Sequence, residues 1–149
     1  LGISVYDIKS LKKFTKLYNL DIVQLSYNIF DQRLDNKKIL RNLKKRKIEI
    51  HARSIFLQGT LLRKKYNNFK NNLLRKKLID WNKWLVEKKL QPIDVCVSNA
   101  ILNKKINKIV VGFDNYFQFK RYLKIKIRKN DISFFNSNNK KIINPSLWH

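Results

Sequence analysis

The 149-residue chain is 44% hydrophobic, which is enough for one domain to bury about two thirds of its unfolded surface and excludes compositional disorder. No run approaches the roughly 20 apolar residues that cross a bilayer, no charged-then-apolar signal segment opens the chain, and Cys96 is the single cysteine, so no membrane span, disulfide framework or cysteine-based metal site is expected. The formal charge of +24 invites a nucleic-acid reading, but lysine far outnumbers arginine and alanine occurs only at Ala52 and Ala100, as an AT-rich coding sequence would impose on any protein.

Residues 1–5 form the first predicted strand, with Gly2 and Ser4 on one face. Asp7 caps a helix whose Leu11, Phe14, Leu17 and Tyr18 share a side. Residues 21–27 predict a second strand, with Gln24 and Ser26 on its polar face. Asp35 or Asn36 then caps a helix with the stripe Ile39, Leu40 and Leu43, and its lysine-rich end suits the negative pole of the helix dipole. Residues 47–54 alternate most clearly: Ile48, Ile50 and Ala52 face one way, and Glu49, His51 and Arg53 the other.

A loop follows from Ile55 to about Asn68, carrying Gly59, one of only three glycines. It leads to a helix with Leu73, Leu74, Leu78, Trp81, Trp84 and Leu85, where the tryptophans read as core. Pro92 suits the first turn of a short helix through Val95, Val97 and Ile101. Residues 108–112 predict the fourth strand, and 116–127 the last helix. The tail, 130–149, is polar before it closes with Ile142, Ile143, Leu147 and Trp148, and it is expected to pack on the body of the fold.

Strands alternating with helices imply a parallel sheet covered by helices, hence an α/β fold. An open sheet would be apolar on both faces. Here one face carries Gly2, Ser4, Gln24, Ser26, Glu49, His51 and Arg53, which suits a barrel interior with a site at the carboxyl ends of the strands. No Gly-x-Gly-x-x-Gly fingerprint follows any strand. Four parallel strands with flanking helices make half of a (β/α)8 TIM barrel, since a full barrel takes about 250 residues.

Four blocks carry a family likeness: Gly2-Ile-Ser-Val-Tyr6, Val23-Gln-Leu-Ser-Tyr-Asn28, Ile50-His-Ala-Arg-Ser-Ile-Phe-Leu-Gln-Gly59, and Ile109-Val-Val-Gly112 leading into Phe117-Gln-Phe-Lys-Arg-Tyr-Leu123. In order and spacing they resemble the C-terminal half of the aldo/keto reductases, from about the fifth barrel strand to the C-terminus. The Asn144-Pro-Ser-Leu-Trp148 ending resembles that of some members. The resemblance implies hydride transfer between a nicotinamide cofactor and a small carbonyl or alcohol substrate, with this half supplying most of the cofactor cleft.

By the same resemblance, Ser4 and Gln24 match positions that hydrogen-bond the nicotinamide carboxamide. Ser54, Phe56, Leu57, Gln58 and Gly59 match the loop that wraps the pyrophosphate. Gly112, Phe113 and Asp114, with Gln118, Arg121 and Tyr122, match the segment that holds the adenosine end. Arg53 stands where an aromatic side chain commonly stacks on the nicotinamide, and its charge should disfavour the cationic oxidised form. Val5 replaces a frequent asparagine, Gly112 a frequent basic residue, and Arg121 a frequent glutamate. The resemblance favours NADP(H) over NAD(H), with Lys120 or Arg121 available for a phosphate.

The family's proton-donating tyrosine and its lysine, histidine and aspartate partners lie on the missing N-terminal half. No catalytic residue is therefore expected in 1–149, and these residues alone should be inactive. His51 is on the wrong strand for catalysis and reads as a hydrogen-bonded interior histidine. A cytoplasmic enzyme with no metal and no membrane partner is expected. A self-associating half-barrel without activity is the first alternative, and a basic nucleic-acid-binding module ranks last.

Overall fold

The computed structural model describes residues 1–66 and 69–148. Four parallel strands pair in chain order, β1 (Gly2–Val5), β2 (Ile22–Ser26), β3 (Glu49–Arg53) and β4 (Lys108–Ile109). The order leaves β1 and β4 at the two ends of the sheet. The register lays Ser4, Gln24, His51 and Lys108 in one row across the sheet, and Val5, Leu25, Ala52 and Ile109 in the next. The apolar face of the strands is buried against helices, while the polar face stays open, as the period-two reading predicts.

Backbone conformation fixes the ends of β3 more tightly than its side-chain alternation does. Lys47 and Ser54, the expected terminal residues, both have φ near +56°, a left-handed conformation that cannot continue a strand. β4 is shorter than the predicted 108–112, although the Val110 amide still donates to the Ala52 carbonyl at 2.8 Å.

Helix α1 (Ile8–Leu17) begins where predicted, with the Asp7 carboxylate accepting from the Ser10 amide at 2.8 Å. That hydrogen bond holds the Asp7 pKa below its ordinary value. Its buried face is Leu11 and Thr15, flanked by Phe14. Leu17 and Tyr18, expected on that face, are exposed. Leu17 is about 200° around the helix from Thr15, and Tyr18 has already left the helix in an extended conformation. Asn36, rather than Asp35, caps α2 (Lys37–Lys45), and Leu40 and Leu43 are its buried stripe.

The long loop contains a single 3₁₀ turn, Thr60–Leu62. Its expected end, at Asn67 and Asn68, lies outside the described residues. Helix α3 (Asn72–Glu87) buries Leu74, Leu78, Trp81 and Leu85. Leu73 is exposed. Helix α4 (Pro92–Ile101) has Pro92 in its first turn and leads into β4.

Helix α5 (Tyr116–Tyr122) is shorter than the predicted 116–127. Beyond it the chain extends along α4, where the Lys126 amide donates to Asp94 and the Arg128 amide to the Ser98 hydroxyl. Those partners replace the helix's own carbonyls. In the tail, Ile132 and Phe135, with Ile142 and Ile143 of the short α6 (Lys140–Ile143), are buried against α3 and the loop.

Two apolar clusters result. One lies between the sheet and α1, α2 and α4; the other joins α3, the loop after β3 and the tail.

Candidate functional site

The carboxyl ends of β1, β2 and β3 converge on Arg53. Opposite it in register stands Ser26, whose small side chain leaves room for the guanidinium to arch over β2 toward β1. Nε of Arg53 donates to Ser4 Oγ at 3.3 Å, Nη2 to the Val5 carbonyl at 3.3 Å, and Nη1 to Ser54 Oγ at 3.0 Å. The Tyr6 ring lies beneath the guanidinium carbon, 4.3 Å from it to the centroid. Ser4 Oγ in turn donates to Gln24 Oε1 at 3.2 Å. Among the described residues the Gln24 amide nitrogen makes no hydrogen bond, so the pair presents a donor beside a hydroxyl.

Ser54 turns the chain with φ +56°, and its carbonyl accepts from the buried Asn28 Nδ2 at 3.2 Å. Leu57, Gln58 and Gly59 continue with φ of 47°, 54° and 75°. Successive left-handed residues cost backbone energy, and such strain collects at functional loops. The Leu57 side chain is buried, its amide donates to the Ser54 carbonyl, and its own carbonyl accepts from Thr60. Leu57 therefore anchors the loop rather than facing the cleft. The Trp81 indole donates to the Leu61 carbonyl at 3.0 Å and ties the same loop to α3.

A cleft of about 760 Å³ opens between this loop and the segment after β4. Arg53, Ser54, Phe56, Gln58 and Gly59 line one wall; Gly112, Asp114, Gln118, Arg121 and Tyr122 line the other. Phe56 stacks on Tyr122 at 5.7 Å between centroids, bridging the two walls. The Tyr122 hydroxyl donates to the Gly112 carbonyl at 3.0 Å, and burial raises its pKa, with the Asp114 charge adding to the effect. Open space surrounds the Cβ positions of Gly59 and Gly112.

The structure thus gathers most of the residues singled out in the sequence. Ser4 and Gln24 lie deeper, on the sheet face, and join the cleft through Arg53. Phe113 is exposed and packs against Phe119 at 5.1 Å. Gln118 closes a small ring with Asp114, accepting from its amide at 2.8 Å. Arg121 pairs with Asp94 at 2.8 Å, so part of its charge is already answered within the chain.

Sequence reasoning missed Tyr6, which no spacing rule places beside a residue two strands away. It also missed Leu62, Ile93, Val110, Val111 and Phe117 of the cleft wall. His51 Nε2 is 3.1 Å from Glu49, which makes it a hydrogen-bonded residue of the open face. Glu49 has its pKa lowered by that bond and by Lys108. Among the described residues, no group of three or more histidine, cysteine, aspartate or glutamate side chains could hold a metal ion. Among the described residues, no helix is long and apolar enough to cross a membrane.

Parallel strands, covering helices and a cleft at the carboxyl ends define one half of a (β/α)8 barrel. The chain belongs to the aldo/keto reductase family, whose model matches residues 1–140. Aldo-keto reductase AKR11C1 from Bacillus halodurans is similar in structure. Its holo form superposes with a TM-score of 0.71 at 14% identity, covering 99% of this chain and 52% of that one. Its apo form gives 0.68 at 13% identity, covering 97% and 53%. At these identities the likeness is one of fold. The chain spans about half the length of these structures. No curated protein sequence matches it.

Proposed function

We propose that these residues are the C-terminal half of a nicotinamide-dependent carbonyl reductase, from about its fifth barrel strand onward, and that they supply the cofactor cleft. The observation that carries this reading is the single cleft formed by the left-handed loop 54–59 and the segment 112–122. Glycine at both walls leaves room for a pyrophosphate to approach backbone amides. Ser4 and Gln24 offer an amide the donor and acceptor it needs. Phe56, Leu57, Gln58 and Gly59 form the wrap, and Phe113, Asp114, Gln118, Arg121 and Tyr122 the adenosine end.

The bound cofactor would supply the hydride. This chain's residues would bind and orient it. Arg53, held flat by Tyr6, would face the nicotinamide and favour the reduced form. NADP(H) is the cofactor we expect, with Lys120, which forms no ion pair among the described residues, offered to its additional phosphate, since Arg121 is paired with Asp94. The family's proton-donating tyrosine and its partners belong to the N-terminal half, so catalysis on a small carbonyl substrate would need that half.

The reading frame upstream of the Leu1 codon tests this. A frame with four further βα units carrying aspartate, tyrosine, lysine and histidine at strand ends should encode a protein that oxidises NADPH with carbonyl substrates. A frame that closes just before Leu1 would overturn the reading.

One observation favours a second reading. Exposed apolar side chains gather on the elements at both ends of the sheet, Leu1, Tyr6, Leu17 and Tyr18 around β1, and Val110, Val111, Phe117 and Leu123 around β4. Two copies could cover these ends mutually, giving a half-barrel that self-associates without activity. Light scattering would then show a stable oligomer, independent of cofactor.

A further inference from the structure

We propose that a second cleft, between α4 and the strap 124–130 that follows α5, binds a linear oligophosphate. This cleft has a volume of about 540 Å³ and is lined by Lys89, Arg121, Lys124, Lys126 and Arg128 with one carboxylate, Asp94. Asp94 is already engaged, accepting from Arg121 Nη2 at 2.8 Å and from the Lys126 amide at 3.4 Å. Among the described residues, Lys89, Lys124, Lys126 and Arg128 form no ion pair. Four unanswered cations therefore face one concavity.

Most lysines of this chain sit on helix surfaces, where they spread apart into water. Here the backbone that carries the cations is tied down beside one concavity. The strap is pinned to α4 by the Arg128 amide, which donates to the buried Ser98 hydroxyl at 3.0 Å, and by the Lys126 carbonyl, which accepts from that hydroxyl at 3.4 Å. Ile125 packs against the core, and Lys124, Lys126 and Arg128 all line the cleft. Three cations at every second residue make a row of charge rather than a point.

Lys89 closes the far side. It occupies the left-handed position after α3, with φ 53°, its amide donating to the Val86 carbonyl and the Leu90 amide to Leu85. Glycine usually fills such a position. A lysine there carries backbone strain and fixes one more cation at the rim. A row of like charges on a rigid frame is relieved by a ligand with its own row of opposite charge, which a phosphate chain provides. Arg121 lines both this cleft and the one of Gly59 and Gly112, so the two adjoin, while Lys89, Lys124, Lys126 and Arg128 line this one alone.

Sodium tripolyphosphate titrated into the 149-residue chain by calorimetry, at about 150 mM salt so that diffuse attraction is screened, should bind at one site. The triple substitution Lys124→Gln, Lys126→Gln, Arg128→Gln should weaken it by about tenfold or more. The triple substitution Lys12→Gln, Lys16→Gln, Lys38→Gln removes the same charge from α1 and α2, and should change affinity less than twofold. Equal losses in the two triples would overturn the proposal. Acetylation of the unsubstituted protein gives an independent reading: tripolyphosphate should shield Lys89, Lys124 and Lys126 but not Lys12, Lys16 or Lys38. Uniform shielding would count against the site. ATP binding at the same site more tightly than tripolyphosphate would assign the phosphate chain to a nucleotide, and weaker binding to an inorganic chain. Single-stranded RNA that binds more tightly than either, with equal sensitivity to both triples, would replace the site with a diffuse nucleic-acid surface.

Discussion

The guanidinium of Arg53 and the ring of Tyr6 lie 4.3 Å apart, carbon to centroid, although β2 lies between them both in the chain and in the sheet. Ser4, Val5 and Ser54 complete the frame around the guanidinium. The charge is thus held at a fixed place at the mouth of the proposed nicotinamide site.

A fixed cation should discriminate between the redox forms of a nicotinamide. Replacing Arg53 by tyrosine should lower the ratio of NADPH to NADP+ affinity by roughly fivefold, which corresponds to about 1 kcal/mol for two charges at contact distance under water-like screening. Titration of both forms against the two proteins measures it. An unchanged ratio would remove Arg53 from the nicotinamide site.

Gly59 has φ +75° and nothing within 4 Å of the position a Cβ would take. Gly59→Ala should therefore destabilise through the backbone alone, by about 1 kcal/mol, seen as a lower urea midpoint at unchanged slope. If the loop wraps a pyrophosphate, cofactor affinity should fall as well.

Trp81 is fully buried, and its indole holds the Leu61 carbonyl. Trp81→Phe leaves that acceptor unpaired and a small void, at a cost of about 2 kcal/mol. Since the bond ties the loop to α3, weaker cofactor binding should accompany the loss. A loop that bound cofactor unchanged would mean that its shape is set locally.

Tyr27 is buried and donates to Asp35 at 3.1 Å, and Asn103 donates to the other oxygen of that carboxylate at 2.9 Å. Burial, reinforced by the Asp35 charge, pushes the phenol pKa upward. The folded state holds this proton more tightly than the unfolded chain, so the stabilisation is complete below pH about 10 and is lost as pH rises above it. Tyr27→Phe should flatten the alkaline fall in stability. Urea midpoints compared at neutral pH and near pH 11 measure it, and an identical fall in both proteins would exclude Tyr27 as its source.

The elements legible in the sequence are those whose signals are local. Alternation in β3, the Asp7 cap and Pro92 in the first turn of α4 each depend on neighbours a few residues away, and each is present. What the sequence hid depends on distant partners. Helix α5 ends early because Asp94 and Ser98 of α4 compete for the amides of Lys126 and Arg128. Tyr18 looks helical by spacing, but Arg46 caps the end of α1, donating to the carbonyls of Thr15 and Tyr18, the latter at 3.3 Å. In the cleft, the glycine and polar positions were readable from the blocks they sit in. The Tyr6 contact was not, because it needs the sheet order and the small Ser26 between.

Cys96 is wholly enclosed by the second apolar cluster, and burial pushes its thiol pKa far up. Maleimides and iodoacetamides, which react with thiolate, should therefore leave the folded chain unmodified. A cysteine introduced at Gln118 or Gln58 would then be the one handle open to a dye or spin label, and its distance from the tryptophans could be followed without first deleting a native thiol.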